Sequence, residues 1–142
     1  MSNSPILFYI DDDADDLFLF AEAAAELGIA AHVFSDPAAL FQTLNNPPPV
    51  PSIVFADLNM PLKSGHAIIS DMRSSSSLSR IPVVVLSTAN DSHNREKSRD
   101  LGANYYICKP TSYDKLKDAI AFSVGIDWNT FNASGQAFVH KS

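Results

Sequence analysis

Apolar residues gather in short blocks at 6–10, 30–34, 53–56, 83–86 and 105–108, and helix-length segments separate them. Blocks of strand length alternating with helices predict a parallel sheet covered by helices on both faces, a doubly wound α/β fold. The first helix should start at Asp13 as its N-cap, with Asp16 three residues on in a capping-box-like position, and stop at Gly28. Leu17, Phe18, Ala21, Ala25 and Leu27 supply its expected buried face. Asp36-Pro37 opens a second helix carrying Leu40, Phe41 and Leu44, and Asn45-Asn46-Pro47-Pro48-Pro49 ends it. A third spans 64–73, before a serine-rich turn at 74–77 that reads as a solvated loop. The fifth, after Thr111, buries Tyr113, Leu116, Ile120 and Val124 and ends near Gly125.

The fourth segment, 91–101, breaks this pattern because Ser92 through Asp100 leave almost no apolar stripe. It is either a plain solvated helix or an element free to shift.

Polar residues matter most where the apolar blocks stop. Asp11, Asp12, Asp13, Asp15 and Asp16 follow the first block, Asp57 the third, Ser87 the fourth and Lys109 the fifth. Open parallel sheets bind ligands outside the carboxyl ends of their strands, so these groups converge although they are distant in sequence. Carboxylates gathered at one place raise one another's pKa unless a cation neutralises them. Asp11, Asp12 and Asp57 make a hard oxygen site suited to Mg²⁺, and a hydroxyl and an ammonium nearby suit a phosphoryl group. Phosphoryl transfer needs mainly positioning and charge neutralisation, and an aspartate can act as the nucleophile. The reaction that follows is phosphorylation of a protein aspartate.

Composition narrows the classes. The chain has 142 residues, enough for one domain with a core, and Lys plus Arg at 10 against Asp plus Glu at 16 gives a net charge of −6. That balance argues against direct nucleic-acid binding, which needs a basic footprint. One cysteine, Cys108, excludes an internal disulfide and reads as an inert buried thiol. No apolar stretch approaches the roughly 20 residues of a membrane span, and Met-Ser-Asn-Ser-Pro lacks a charged leader, so a cytoplasmic location without membrane contact is expected. His32, His66, His93 and His140 share no metal spacing, and the glycines form no phosphate-binding loop, so no nucleotide or other organic cofactor is expected.

Four segments together resemble the receiver domains of two-component response regulators, the stand-alone chemotaxis receiver above all. They are Ile6-Leu7-Phe8-Tyr9-Ile10-Asp11-Asp12-Asp13; Asp57-Leu58-Asn59-Met60-Pro61 with Gly65; Pro82-Val83-Val84-Val85-Leu86-Ser87-Thr88; and Tyr106-Ile107-Cys108-Lys109-Pro110. The resemblance covers residues 5–124 and implies a flavodoxin-like (βα)5 sheet of order 2-1-3-4-5. Asp57 would be the phosphoacceptor. Asp11, Asp12, Asp57 and the Asn59 backbone carbonyl would form the Mg²⁺ site, Asp11 through a metal-bound water, although the triple aspartate leaves a one-residue ambiguity in the pair. Ser87 and Lys109 would contact the phosphoryl group. Ser87 and Tyr106 would be the switch, Ser87 moving towards the phosphate while Tyr106 fills the vacated space. General burial statistics equally allow Tyr106 as a plain core aromatic.

The same resemblance implies a histidine kinase or phosphotransfer protein as phosphate donor, an unidentified downstream protein, and a monomer or weak homodimer. Residues 1–125 would be the receiver and 126–142 a C-terminal tail too short for an output domain. Trp128, Phe131 and Phe138 in that tail either pack on their own domain or meet a partner. The competing function is an aspartate-nucleophile phosphatase. Such enzymes place a second acid two residues after the nucleophile, where this chain has Asn59. Self-phosphorylation and autodephosphorylation are therefore the only catalysis expected.

Overall fold

A computed structural model of the chain describes residues 5–45, 51–61, 63–131 and 135–141. The apolar blocks become five strands, β1 (Ile6–Ile10), β2 (Ala31–Phe34), β3 (Ser52–Ala56), β4 (Val83–Ser87) and β5 (Tyr105–Cys108). All pair in parallel, in the order β2-β1-β3-β4-β5. The helices are α1 (Ala14–Glu26), α2 (Pro37–Leu44), α3 (Gly65–Ser74), α4 (Ser92–Leu101) and α5 (Tyr113–Gly125). Both the doubly wound architecture and the expected strand order are present.

Successive strand residues point to opposite faces, and this splits the core in two. Leu7, Tyr9, Ile53, Phe55, Val84, Leu86, Tyr105 and Ile107 pack under α1 and α5. Phe8, Ile10, Val54, Ala56, Val83, Val85 and Tyr106 pack against α2 and α3. β3 and β4 are buried along their whole length, as strands covered on both faces must be.

Local signals set the helix ends. Asp13, Asp36, Ser64, Asp91 and Ser112 are the N-caps, each accepting a backbone N–H with its side chain. Beyond α1, Gly28 takes a left-handed φ of 72°, which explains the stop there. α2 ends at Leu44 with Asn45 as its cap; the proposed Asn46-Pro47-Pro48-Pro49 stop and the start of the chain at residues 1–4 lie outside the described residues.

The buried face of α1 differs from expectation. Phe18 is 63% exposed and Ala25 is exposed, whereas Phe20, Ala23 and Ala24 are fully buried. The segment carries apolar residues on nearly every side, so its periodicity leaves the rotation open. Tertiary contact decides it: the Phe20 ring stacks on Tyr9 at 4.4 Å and meets Phe55 edge-on at 5.0 Å. In α4 only Ser98 is buried, matching the missing stripe. In α5, Ile120 is buried as expected, while Tyr113, Leu116 and Val124 are partly buried against the same cluster.

The described tail residues pack on their own domain. Trp128 and Phe131 set their ring edges against Tyr105, at 6.2 and 5.8 Å. Phe138 is buried beside Tyr106, and the His140 N–H donates to the Tyr106 carbonyl at 2.8 Å, so 139–140 cover the open edge of β5.

Candidate functional site

Asp11, Asp57, Ser87 and Lys109 each sit at the last residue of a strand or one residue past it, and backbone hydrogen bonds fix them there. The Asp11 N–H donates to Phe34 O at 3.1 Å, the Asp57 N–H to Ile10 O at 3.1 Å, and the Lys109 N–H to Ser87 O at 2.8 Å. The sheet thereby delivers Asp11, Asp57, Ser87 and Lys109 to one place, at the carboxyl ends of β1, β3, β4 and β5. The chain then turns sharply back into α3. A Cβ on Gly65 would lie 2.9 Å from the Asp57 carbonyl carbon and clash with its oxygen, so glycine is needed where α3 starts beneath Asp57.

Asp11, Asp12 and Asp57 each offer a carboxylate oxygen, and these oxygens lie within 4.8 Å of one another. Asp11 and Asp57 are buried, whereas Asp12 is open to solvent. Lys109 is the cation that faces this cluster, with Nζ 2.7 Å from Asp11 Oδ2, 2.8 Å from Asp16 Oδ2 and 3.8 Å from Asp57 Oδ1.

The charges are unevenly balanced. Burial and the neighbouring Asp11 charge push the Asp57 carboxyl up to about 6, against opposing pulls from Lys109, Ser87 and the Asn59 amide. Asp11 is buried too, which alone would raise it, yet hydrogen bonds from Lys109, the Tyr9 hydroxyl and the Asp13 amide hold it below the ordinary carboxylate range. Burial alone would lower Lys109, but the carboxylates of Asp11, Asp16 and Asp57 raise it, so it stays an ammonium. Asp57 is the under-compensated member. The trio of Asp11, Asp12 and Asp57 fits a divalent cation, because Lys109 reaches only two of its carboxylates and hard oxygen donors with uncancelled charge are what such an ion requires.

Ser87 is fully buried, and its Oγ accepts the Ala89 N–H at 3.3 Å. Tyr106 is fully buried in the core, with its hydroxyl donating to the Ala89 carbonyl at 2.5 Å. The two expected switch residues therefore hold the same residue, Ala89, at the entry to α4. Asn59 is exposed on the loop after β3. Cys108, expected to be buried, is half-buried because it ends an edge strand.

Two residues of the site escaped the sequence reading. Tyr9, two positions before Asp11, shares its strand face and donates its hydroxyl to the Asp11 carboxylate. Asp16 does not close a capping box: the Asp13 N–H bonds to Asp11 Oδ1 at 3.0 Å instead, and Asp16 turns to Lys109. A visible signal was a single lysine facing a run of acids. The histidines stay outside the site; His66 bonds to Ser98, His140 to Tyr105, and His32 stacks on Phe8.

Among the described residues no helix is long and apolar enough to cross a membrane. The response regulator receiver domain family matches residues 7–121. Response regulator Rcp1 of Synechocystis is 34% identical over 79 residues, spanning 56% of this chain and 52% of that protein. The chain spans about half the length of the curated relatives it matches. The crystal structure of the phosphorylated cyanobacterial phytochrome response regulator RcpA has a TM-score of 0.75 at 27% identity, covering 92% of this chain and 97% of that one. The Mn²⁺-bound form of Rcp1 shares the fold, with a TM-score of 0.73 at 22% identity, covering 92% and 99% of the two chains.

Proposed function

This chain belongs to the response regulator receiver domain family, and from that premise we propose that it is a two-component phosphoacceptor that takes its phosphoryl group on Asp57. The observation that carries the reading is the meeting of Asp57 with Lys109 Nζ at 3.8 Å and with the oxygens of Asp11 and Asp12 inside 4.8 Å. An Asp57 Oδ, ionised above about pH 6, attacks phosphorus. As that O–P bond forms, the bond from phosphorus to the donor breaks, and its electron pair leaves with the imidazole of a histidine kinase or phosphotransfer protein. Ser87 has the hydroxyl to donate to a phosphoryl oxygen, and Lys109 the ammonium to neutralise one.

Mg²⁺ would be held by Asp12, Asp57 and the Asn59 carbonyl, with Asp11 acting through a bound water. When bound, the ion neutralises charge on the phosphoryl oxygens and on the carboxylates around them.

The readout follows from Ala89, which both Ser87 and Tyr106 hold. A Ser87 drawn towards the phosphoryl group frees Tyr106 and Ala89 to rearrange, and α4, which buries only Ser98, is inexpensive to shift. α4, with the parts of β5 and α5 that the described tail residues leave uncovered, would thus meet the downstream protein. On this reading residues 1–125 form the receiver and 126–142 a tail whose described residues pack on it, catalysis is limited to self-phosphorylation and slow hydrolysis, and the protein works in the cytoplasm as a monomer or weak homodimer.

Incubation with Mg²⁺ and acetyl phosphate beside Asp57→Asn tests this. The expected result is one hydroxylamine-labile phosphoryl group per wild-type chain and none on the variant. Many turnovers of a small phosphorylated substrate would instead identify a phosphatase.

A further inference from the structure

Lys109 lies within reach of Asp57 but is held more closely by two other carboxylates. Its ammonium is within hydrogen-bond distance of Asp11 and Asp16, at 2.7 and 2.8 Å, but 3.8 Å from the nearest Asp57 oxygen. The two close partners differ. Asp11 is fully buried and is also fixed by the Tyr9 hydroxyl and the Asp13 amide. Asp16 has a third of its side chain exposed, and among the described residues its carboxylate bonds to Lys109 alone. Solvent can compensate Asp16 when it loses the ammonium, whereas Asp11, shut off from water, would keep only the Tyr9 and Asp13 donors.

We propose that Asp16 is a positioning residue that latches Lys109 in the resting state, so that a phosphoryl group on Asp57 must win the ammonium from it. The inference rests on the phosphoacceptor reading and adds a residue that acts on the reaction through Lys109. Phosphorylation brings a dianion to the carboxylate that Lys109 touches least. Its oxygens then compete with Asp16 for the same donor. The outcome is a higher threshold for phosphorylation and a shorter-lived acyl phosphate than Asp57 and Lys109 would have without Asp16. The latch is built by the fold: Asp13 caps α1, which sets Asp16 in the first turn of α1, facing the Lys109 end of β5.

Asp16→Asn removes the competing charge and keeps the side-chain shape. Half-saturation with acetyl phosphate at fixed Mg²⁺ is expected at about 3- to 5-fold lower concentration, with phosphate loss slowed to a similar degree, the size appropriate to a partly exposed ion pair. Asp16→Glu should return both values towards wild type. The ¹⁵Nζ resonance of Lys109 in wild type should move on phosphorylation, and in Asp16→Asn its resting position should already be displaced. A purely structural Asp16 would change the melting temperature and leave threshold and lifetime alone, and that result would overturn the latch. So would a raised threshold in Asp16→Asn, or a wild-type Lys109 resonance that ignores phosphorylation, a measurement that needs no variant. The two readings fail differently: no phosphate on wild-type Asp57 removes the phosphoacceptor, whereas phosphorylation with identical thresholds removes Asp16 alone.

Discussion

α1 and α4 are helices of similar length lying against opposite faces of one sheet, and they are held in opposite ways. α1 buries Phe20, Ala23 and Ala24, with the Phe20 ring fitted between Tyr9 and Phe55. α4 buries a serine, and its fixed points lie towards one end. Ser98 bonds to His66, Gly102 closes the helix with a φ of 114°, and Arg73 Nε donates to the Gly102 carbonyl at 2.9 Å. The opposite end, at Asp91 to Arg95, is largely exposed and follows directly on Ala89, which Ser87 and Tyr106 hold. The contrast divides the labour. On the proposed reading, Asp11 and Asp12 sit beside a helix held by a buried ring and buried alanines, whereas the surface that would report phosphorylation includes a helix that buries a single serine and should shift for little energy.

Substitutions can break or sharpen this contrast, and the largest effect is expected in α1. Phe20→Ala should destabilise the fold by about 3–5 kcal/mol, because a fully buried ring is lost from a packed face, whereas Lys97→Ala in α4 should change stability by less than about 0.5 kcal/mol. Chemical denaturation of both variants measures the ratio, and similar losses would erase the distinction.

Arg73→Ala comes next. Its guanidinium donates to Gly102 O, Ser79 O, Ile81 O and Asn104 Oδ1, so losing it should cost about 2–3 kcal/mol. Amide exchange should quicken at the C-terminal end of α4 and not in α1.

Asp57→Asn has a smaller effect of opposite sign. A carboxyl whose folded pKa is raised from 3.8 to about 6 contributes stability that is present below 3.8 and lost as pH rises through about 6. A neutral asparagine at this position carries no such penalty, so the variant should be about 1–3 kcal/mol more stable than wild type at pH 7, with the gain vanishing towards pH 4. Asp11, whose pKa is lowered, runs the other way, its stabilisation fading as pH falls. Melting temperatures of wild type and variant between pH 4 and 8 isolate the Asp57 part. Mg²⁺ should raise the wild-type melting temperature at pH 7 by binding the folded state.

Much of the site was legible because a parallel sheet brings strand ends together whatever the distance in sequence. Asp11, Asp57, Ser87 and Lys109 needed only the block boundaries to be placed. Phe20 was misjudged because α1 is apolar nearly all round, and only the tertiary fit against Tyr9 and Phe55 picks one rotation. Asp16 was read as a cap because capping is a local rule, whereas its partner lies 93 residues away. For Phe138 the sequence left packing on its own domain and contact with a partner both open, because its burial against Tyr106 depends on the chain returning past β5, which no local pattern announces.

The most direct measurement is amide hydrogen exchange on wild type and Asp57→Asn, each with Mg²⁺ in the presence and absence of acetyl phosphate. The account predicts changed exchange in wild type from Ala89 through the first turns of α4, none in the Phe20-bearing part of α1, and none anywhere in the variant. Unchanged exchange in α4 of phosphorylated wild type, or the same change in Asp57→Asn, would contradict it.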